Sequence, residues 1–226
     1  MASQQARARG AVFVPRLIIM AKSPVAGVAK RRLGREIGDC AAMRFYRNCL
    51  MHTVLRLARG SRWQTMLAVT PDKAVAEHCW PSPCRMRRLP QGHGDLGARM
   101  QRLFKCLPPG PAIIIGSDIP EINASHIAQA FELLGRADAV LGPASDGGYW
   151  LVGLKRSPRT LAPFAGVRWS GPHALADTLA NLKRKRVAFA PTLDDVDTAQ
   201  SYSATKTLTE RLVAPRQPPK VHQARV

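Results

Sequence analysis

Residues 112–154 read AIIIGSDIPEINASHIAQAFELLGRADAVLGPASDGGYWLVGL, and this stretch decides the fold. A short apolar run, Ala112 to Ile115, ends in Gly116-Ser117-Asp118 and is closed by Pro120. A helix follows over roughly Ser125 to Leu134, with Asn123 as its cap and Ile127, Ala130, Phe131 and Leu134 on one face. A second apolar run, Ala139 to Leu141, leads into Asp146-Gly147-Gly148, and a third, Tyr149 to Leu154, completes the unit. Strands that end in acidic loops, with a helix between them, place carboxylates along one edge of an α/β sheet. That edge, beyond the carboxyl ends of the strands, is where open α/β sheets bind ligands. Asp118 and Asp146 are therefore expected to face one site.

The same logic recurs on both sides of this unit. Leu17 to Met20 is a fully apolar run of the kind found in central parallel strands. It leads into a loop, Ala21 to Arg32, whose Pro24 and Gly27 stop a helix and which presents Lys22, Lys30 and Arg32. Backbone N–H groups and cations in such a loop suit phosphate, although the GxxxxGK[ST] spacing is absent. Near the other end, Val187 to Ala190 reads as a last strand and delivers Leu193-Asp194-Asp195-Val196-Asp197-Thr198, which opens a C-terminal helix. Carboxylates this dense repel one another unless a cation or hydrogen bonds compensate. Capping by Asp197 or Thr198 accounts for one polar side chain of the group, not for three acids.

The remaining segments supply the frame. Ala41 to Ala58 carries a helical apolar stripe, Thr65 to Val69 reads as a strand, Asp72 to Cys79 as a short helix, and Met86 to Leu89 as an edge strand closed by Pro90. Gly92-His93-Gly94-Asp95-Leu96-Gly97 matches G-x-G-x-x-G, but the preceding CRMRRLPQ is no buried strand, so the dinucleotide fingerprint does not apply. The loop instead starts a helix over Leu96 to Leu107, with Asp95 at its positive end. Ser170 is read as the cap of a further helix, with Pro172 in its first turn and its end near Leu182.

At 226 residues the chain suits one domain, here 16–212, between an N-terminal arm of residues 1–15 and a basic, Pro-containing tail, 213–226. No run of eighteen apolar residues is present, and the default expectation is a cytoplasmic protein without a membrane span. The five cysteines, including Cys79 and Cys84 after His78, lack zinc-pair spacing and read as reduced thiols. A net charge of +19 favours anionic partners. Its clusters are scattered and no nucleic-acid-binding signature accompanies them, so a solvated basic surface is expected rather than a nucleic-acid partner. Nothing in the sequence fixes the oligomeric state.

A basic loop plus acidic loops suits Mg²⁺ or Mn²⁺ with a nucleotide, since one or two carboxylates commonly hold the metal and phosphate completes its shell. Cations would neutralise the charge building on a departing phosphate. The expected chemistry is transfer from a nucleotide: a glycosyl group from a nucleotide sugar, or a nucleotidyl group from a nucleoside triphosphate, to a small-molecule acceptor. A non-catalytic basic nucleic-acid binder on the same scaffold is the third reading.

Six ordered motifs carry a resemblance across roughly Leu17 to Tyr202. They are AKSPVAGVAKRRL (21–33), QGHGDLGARM (91–100), IIIGSDIP (113–120), VLGPASDGGYWLVGL (140–154), WSGPHALADTL (169–179) and LDDVDT (193–198). Together they resemble the bacterial glycosyltransferase-like family associated with radical-SAM and selenodomain proteins and linked to arsenosugar biosynthesis. The resemblance implies a GT-A, nucleotide-diphospho-sugar transferase fold: three-layer α/β/α around a mostly parallel, Rossmann-like sheet. It assigns Lys22, Gly27, Lys30 and Arg32 to the nucleotide phosphates, with Gly94 and Asp95 as further candidates. It assigns Asp118 and Asp197 to the metal, with Asp195 in reserve. The acceptor side falls to Asp146, Gly147, Gly148, Tyr149, Trp169 and Ser170, and catalysis to Lys30 and Asp146. Arg31, Ser145 and Ile119 depart from the family's usual Thr, Glu and Cys.

Overall fold

A computed structural model describes residues 13–205 apart from 28, 59–61, 81–85 and 157–158. Most of the N-terminal arm, the whole of the 213–226 tail, and Cys84 lie outside the described residues. One seven-stranded sheet organises the chain. Its strands are β1 (Arg16–Lys22), β2 (Gln64–Thr70), β3 (Arg88–Pro90), β4 (Ala112–Ile115), β5 (Ala139–Pro143), β6 (Tyr149–Leu154) and β7 (Val187–Phe189). They lie in the order β3-β2-β1-β4-β6-β5-β7. All run one way except β6, which is antiparallel to both β4 and β5.

The helices divide between the two faces, as apolar side chains alternate across the strands. On one face Leu17, Ile19, Ile113 and Ile115 pack with Tyr46, Leu50, Val54 and Leu57 of α2 (Asp39–Leu57) and with Ile127, Ala130 and Leu134 of α4 (Ala124–Arg136). On the other, Ile18, Met66, Ile114 and Val152 pack with Met100, Leu103 and Phe104 of α3 (Leu96–Cys106). Leu175 and Leu179 of α5 (Ala174–Asn181) join that second face. A third, smaller cluster joins Leu33 of α1 (Arg31–Ile37), Ala42, Phe45 and Val196. The result is the three-layer α/β/α arrangement expected from the sequence.

Two turns of chain chemistry position the site. Asn123 caps α4, its Oδ1 accepting from the Ser125 and His126 amides at 2.9 and 3.2 Å. Asp95 caps α3 by accepting from the Ala98 amide at 2.7 Å. The Gly-rich loop is thus a helix start beside the edge strand β3, as its weak approach segment implied.

Several expectations need correction. Ser170 does not cap α5: it has a left-handed φ of 63°, and the helix begins after His173, which makes no side-chain cap. Asp72–Ala76 is a single 3₁₀ stretch, not a helix to Cys79. The runs on either side of Asp146 form an antiparallel hairpin, because the connection over residues 144–148 is far too short for a parallel crossover. Asp146 therefore sits in a hairpin turn, still at the carboxyl end of β5.

The α4 cap gives the first prediction. Asn123→Ala should lower the free energy of unfolding by about 1 kcal/mol, within the 0.5–2 kcal/mol typical of lost N-caps. Urea denaturation measures it, and an unchanged midpoint would remove Asn123 from the account of how α4 is held.

Candidate active site

The loops after β1, β4, β5 and β7 meet at the carboxyl edge of the sheet, and one side chain ties three of them together. Lys30, the residue before α1, points its ammonium between three carboxylates. Its Nζ lies 2.7 Å from Asp118 Oδ2, 3.1 Å from Asp195 Oδ2 and 2.6 Å from Asp197 Oδ1. The lysine side chain is 4 % exposed, whereas the three aspartates remain 28, 42 and 41 % exposed. The backbone of Lys30 is left-handed, with φ 51°, a conformation unfavourable for a residue with a Cβ. Such strain persists where surrounding contacts over-determine the residue, and functional sites are where it collects.

The acidic segment sorts its carboxylates by spacing. Asp195 and Asp197, two residues apart, both reach Lys30. Asp194 instead accepts from the Ser145 amide at 2.7 Å and the Ser145 hydroxyl at 2.9 Å, linking this loop to the β5–β6 hairpin. Val196 turns into the small core with Leu33 and Phe45. Thr198 caps the helical residues 199–205 by accepting from the Ser201 amide at 3.2 Å, so no aspartate is spent on capping. Behind the cluster, buried Tyr46 accepts from the Lys22 amide at 2.8 Å, donates to the Lys22 carbonyl at 3.1 Å and lies 3.1 Å from Ser117 Oγ. That phenol fixes the end of β1 against the loop carrying Asp118.

The electrostatics follow from burial and proximity. Burial alone would lower the Lys30 pKa, but the opposing attraction of Asp118, Asp195 and Asp197 carries it well above the usual lysine range. Lys30 is therefore charged at every working pH. Burial pushes the Asp195 carboxyl up to about 6; Lys30 opposes that shift, and the charges of Asp118 and Asp197 add to it. Asp197 is also penalised by burial, yet Lys30 holds it below the ordinary range. Three carboxylates less one ammonium leave a charge of −2 when all are ionised, so the cluster still attracts cations. One oxygen from each acid lies within 4.8 Å of the others. Around one octahedral Mg²⁺ adjacent oxygens stand about 2.9 Å apart and opposite ones about 4.2 Å, so the three acids would have to draw together to share an ion.

The cleft has two halves that meet at Asp118 and Asp195. One, of about 470 Å³, is lined by Lys22, Lys30, Arg31, Arg32 and Arg99, with Tyr46 and Gln91 at its floor. The other, of about 300 Å³, is lined by Met20, Met100, Ile119, Asp146, Tyr149 and Trp169 among others. Of the residues expected at a site, Lys22, Lys30, Arg32, Asp118 and Asp197 fall in the first half. Asp146, Gly148, Tyr149, Trp169 and Ser170 fall in the second. Gly27, Gly94, Asp95 and Gly147 line neither. Gly27 is a turn residue with φ 72°, and Gly147, at φ 82°, passes so close to the Pro172 backbone that a Cβ would collide with it.

Asp195 as an equal partner, Tyr46, Ser117 and Arg99 were not expected as site residues. Tyr46 reads in sequence as one more apolar position on the α2 stripe, and only the end of its ring carries the polar role. Gln91 is likewise silent in sequence. Buried in the structure, it donates to the Ala21 and Ala68 carbonyls at 3.1 and 2.8 Å and braces β1 against β2.

The chain belongs to the family described as an uncharacterized protein conserved in bacteria (DUF2064), whose model matches residues 53–171, more than half of its length. Among solved structures it is similar to a protein of Desulfovibrio desulfuricans G20 named "putative nucleotide-diphospho-sugar transferase", with a TM-score of 0.76 and 24 % identity over 87 % of this chain and 97 % of that one. A CMP:2-keto-3-deoxy-manno-octonic acid synthetase complexed with CTP gives a TM-score of 0.56 at 11 % identity, over 89 and 100 % of the two chains. Glucosyl-3-phosphoglycerate synthase of Mycobacterium tuberculosis, in complex with Mg²⁺ and UDP, gives 0.51 at 10 % identity, over 89 and 80 %. No curated protein matches. The fold is thus that of the nucleotide-diphospho-sugar transferases. Among the described residues, no helix is long and apolar enough to cross a membrane.

Two outcomes follow from the charge cluster. Lys30→Met, measured in EDTA, should lower unfolding free energy by about 1–3 kcal/mol, because the carboxylates lose their shared partner. Added Mg²⁺ should then raise the melting temperature more in the variant than in the parent. The metal-induced shift should also be small at pH 5, where Asp195 holds a proton, and fully developed at pH 7.5. Equal shifts at the two pH values would show that Asp195 takes no part.

Proposed function

We propose that the protein is a metal-dependent transferase that uses a nucleotide donor, and specifically a glycosyltransferase moving a sugar from a nucleoside diphosphate to a small-molecule acceptor. The observation that carries this reading is the convergence of Asp118, Asp195 and Asp197 on Lys30 at the junction between a basic half-cleft and an apolar one. The fold supports it, since similar structures are held with CTP or with UDP and Mg²⁺.

In this reading Asp118 and Asp197, with Asp195, would hold Mg²⁺ or Mn²⁺, which when bound would supply a counter-charge to the donor's phosphate oxygens. Lys22, Arg32 and the ammonium of Lys30, released from the carboxylates, neutralise the diphosphate as it departs. Asp146 lies across the cleft on the acceptor side. Its Oδ1 accepts from the Gly148 amide at 2.8 Å, while its other oxygen accepts no hydrogen bond among the described residues. In this reading that oxygen takes the proton from an acceptor hydroxyl. The hydroxyl oxygen bonds to the anomeric carbon as the bond to the diphosphate breaks.

The runner-up is nucleotidyl transfer from a nucleoside triphosphate, which the likeness to a CTP-bound synthetase favours. It needs the same cations and acids but releases pyrophosphate. Incubation with a panel of nucleotide sugars and nucleoside triphosphates plus Mg²⁺ separates the two. Nucleoside diphosphate as product supports glycosyl transfer, whereas pyrophosphate would transfer the assignment to the runner-up. Asp118→Ala should abolish Mg²⁺-dependent thermal stabilisation by UDP while leaving the parent melting temperature within a few degrees. Undiminished stabilisation in that variant would place the metal elsewhere.

A further inference from the structure

The apolar half of the cleft has a charge pattern opposite to that of the chain. The protein carries 34 Lys and Arg against 15 Asp and Glu. Even so, three aspartates line the 300 Å³ half, Asp146 together with Asp118 and Asp195, which are bonded to Lys30, and among the described residues no Lys, Arg or His lines it. Lys22, Arg31 and Arg32 line the adjoining basic half, and two other nearby cations are paired. Lys30 is held by its three carboxylates, and Arg168, next to Trp169, is paired with Asp177 through two nitrogens at 2.9 Å each. Arg99, on the basic half, donates to the Gly94 carbonyl at 2.9 Å.

The rest of the lining is apolar or neutral. Met20, Met100, Leu96 and Ile119 supply aliphatic surface, and Tyr149 and Trp169 meet edge-to-face with ring centroids 6.2 Å apart. Burial raises the Tyr149 hydroxyl well above its ordinary range, so it stays uncharged. The indole Nε1 of Trp169 is buried with no hydrogen-bond partner among the described residues. The volume suits a small molecule of one or two rings.

We infer that the molecule taken by this half of the cleft is not anionic: it is an uncharged or cationic small molecule with an apolar ring or chain, presenting a hydroxyl or amine to Asp146. A phosphate or carboxylate in the same place would meet the Asp146 carboxylate with no cation lining that half among the described residues, so like charge would oppose its binding. The assignment rests on the transferase reading above. It removes phosphorylated and carboxylated acceptors from that reading, leaving charge recognition to the donor side.

Trp169 provides a local readout through its indole N–H resonance, identified among the four tryptophans by its loss in Trp169→Phe. The probes share one ring: tyramine as cation, tyrosol as neutral alcohol, 4-hydroxyphenylacetate and tyrosol phosphate as anions. Each is titrated into the full-length protein alone and again with UDP and Mg²⁺ occupying the basic half. Tyramine and tyrosol should shift Trp169 with dissociation constants at least about tenfold lower than either anion in both conditions. Asp146→Asn should erase most of the advantage of tyramine over tyrosol. Anions binding as tightly as the neutral probe, or no response of Trp169 to any probe, would overturn the inference. If UDP and Mg²⁺ fail to bind, the transferase reading falls, while the order of the four probes on the protein alone still decides the character of this pocket.

Discussion

One buried ammonium closes this structure at the carboxyl edge of its sheet. Lys30 lies more than 160 positions in sequence from Asp195 and Asp197 and bonds to both, so the loop after the first strand is joined to the segment after the last. Asp118, from the middle of the sheet, completes the contact. None of the carboxylates would sit so close to the others without that charge between them. The cluster needs its supports. Tyr46 holds the end of β1, Asp194 ties the acidic loop to the hairpin, and Val196 anchors the same loop in the core. An arrangement that leaves a net charge of −2 around one strained lysine is suited to exchange the ammonium for a divalent cation.

That exchange would connect the two halves of the cleft. With a metal at the acids, the lysine joins Lys22 and Arg32 on the basic side, where a diphosphate has its counter-charges. The other side keeps Asp146, two aromatic rings and aliphatic surface, and no cation lines it among the described residues.

Much of this architecture was legible because it obeys local rules. The apolar run before Asp118, the stripe and cap of α4, and the Asp95 start of α3 are each dictated by short-range chemistry, and each stands where the sequence placed it. The acids at the carboxyl edge followed from strand direction alone. What could not be read depends on contacts between distant segments. Asp194, Asp195 and Asp197 look alike in sequence, and only the direction of the chain decides that one faces the hairpin and two face Lys30. Lys30 itself reads as a phosphate ligand, because its carboxylate partners lie far along the chain. The Ser170 cap was expected on residue type, but Ser170 is left-handed and α5 begins only after His173. The orientation of β6 turned on counting five residues, 144–148, rather than on any property of the strand.

The central claim is that the Lys30 cluster is a metal and diphosphate site. Its most direct test is a crystal structure of the protein with UDP and Mn²⁺, collected at a wavelength where manganese scatters anomalously. The account predicts one strong anomalous peak within ligand distance of Asp118 and Asp197, with the UDP phosphates against Lys22 and Arg32 and the Lys30 ammonium turned from the carboxylates toward them. A peak elsewhere, or bound UDP with Lys30 still held by its three aspartates, would contradict it.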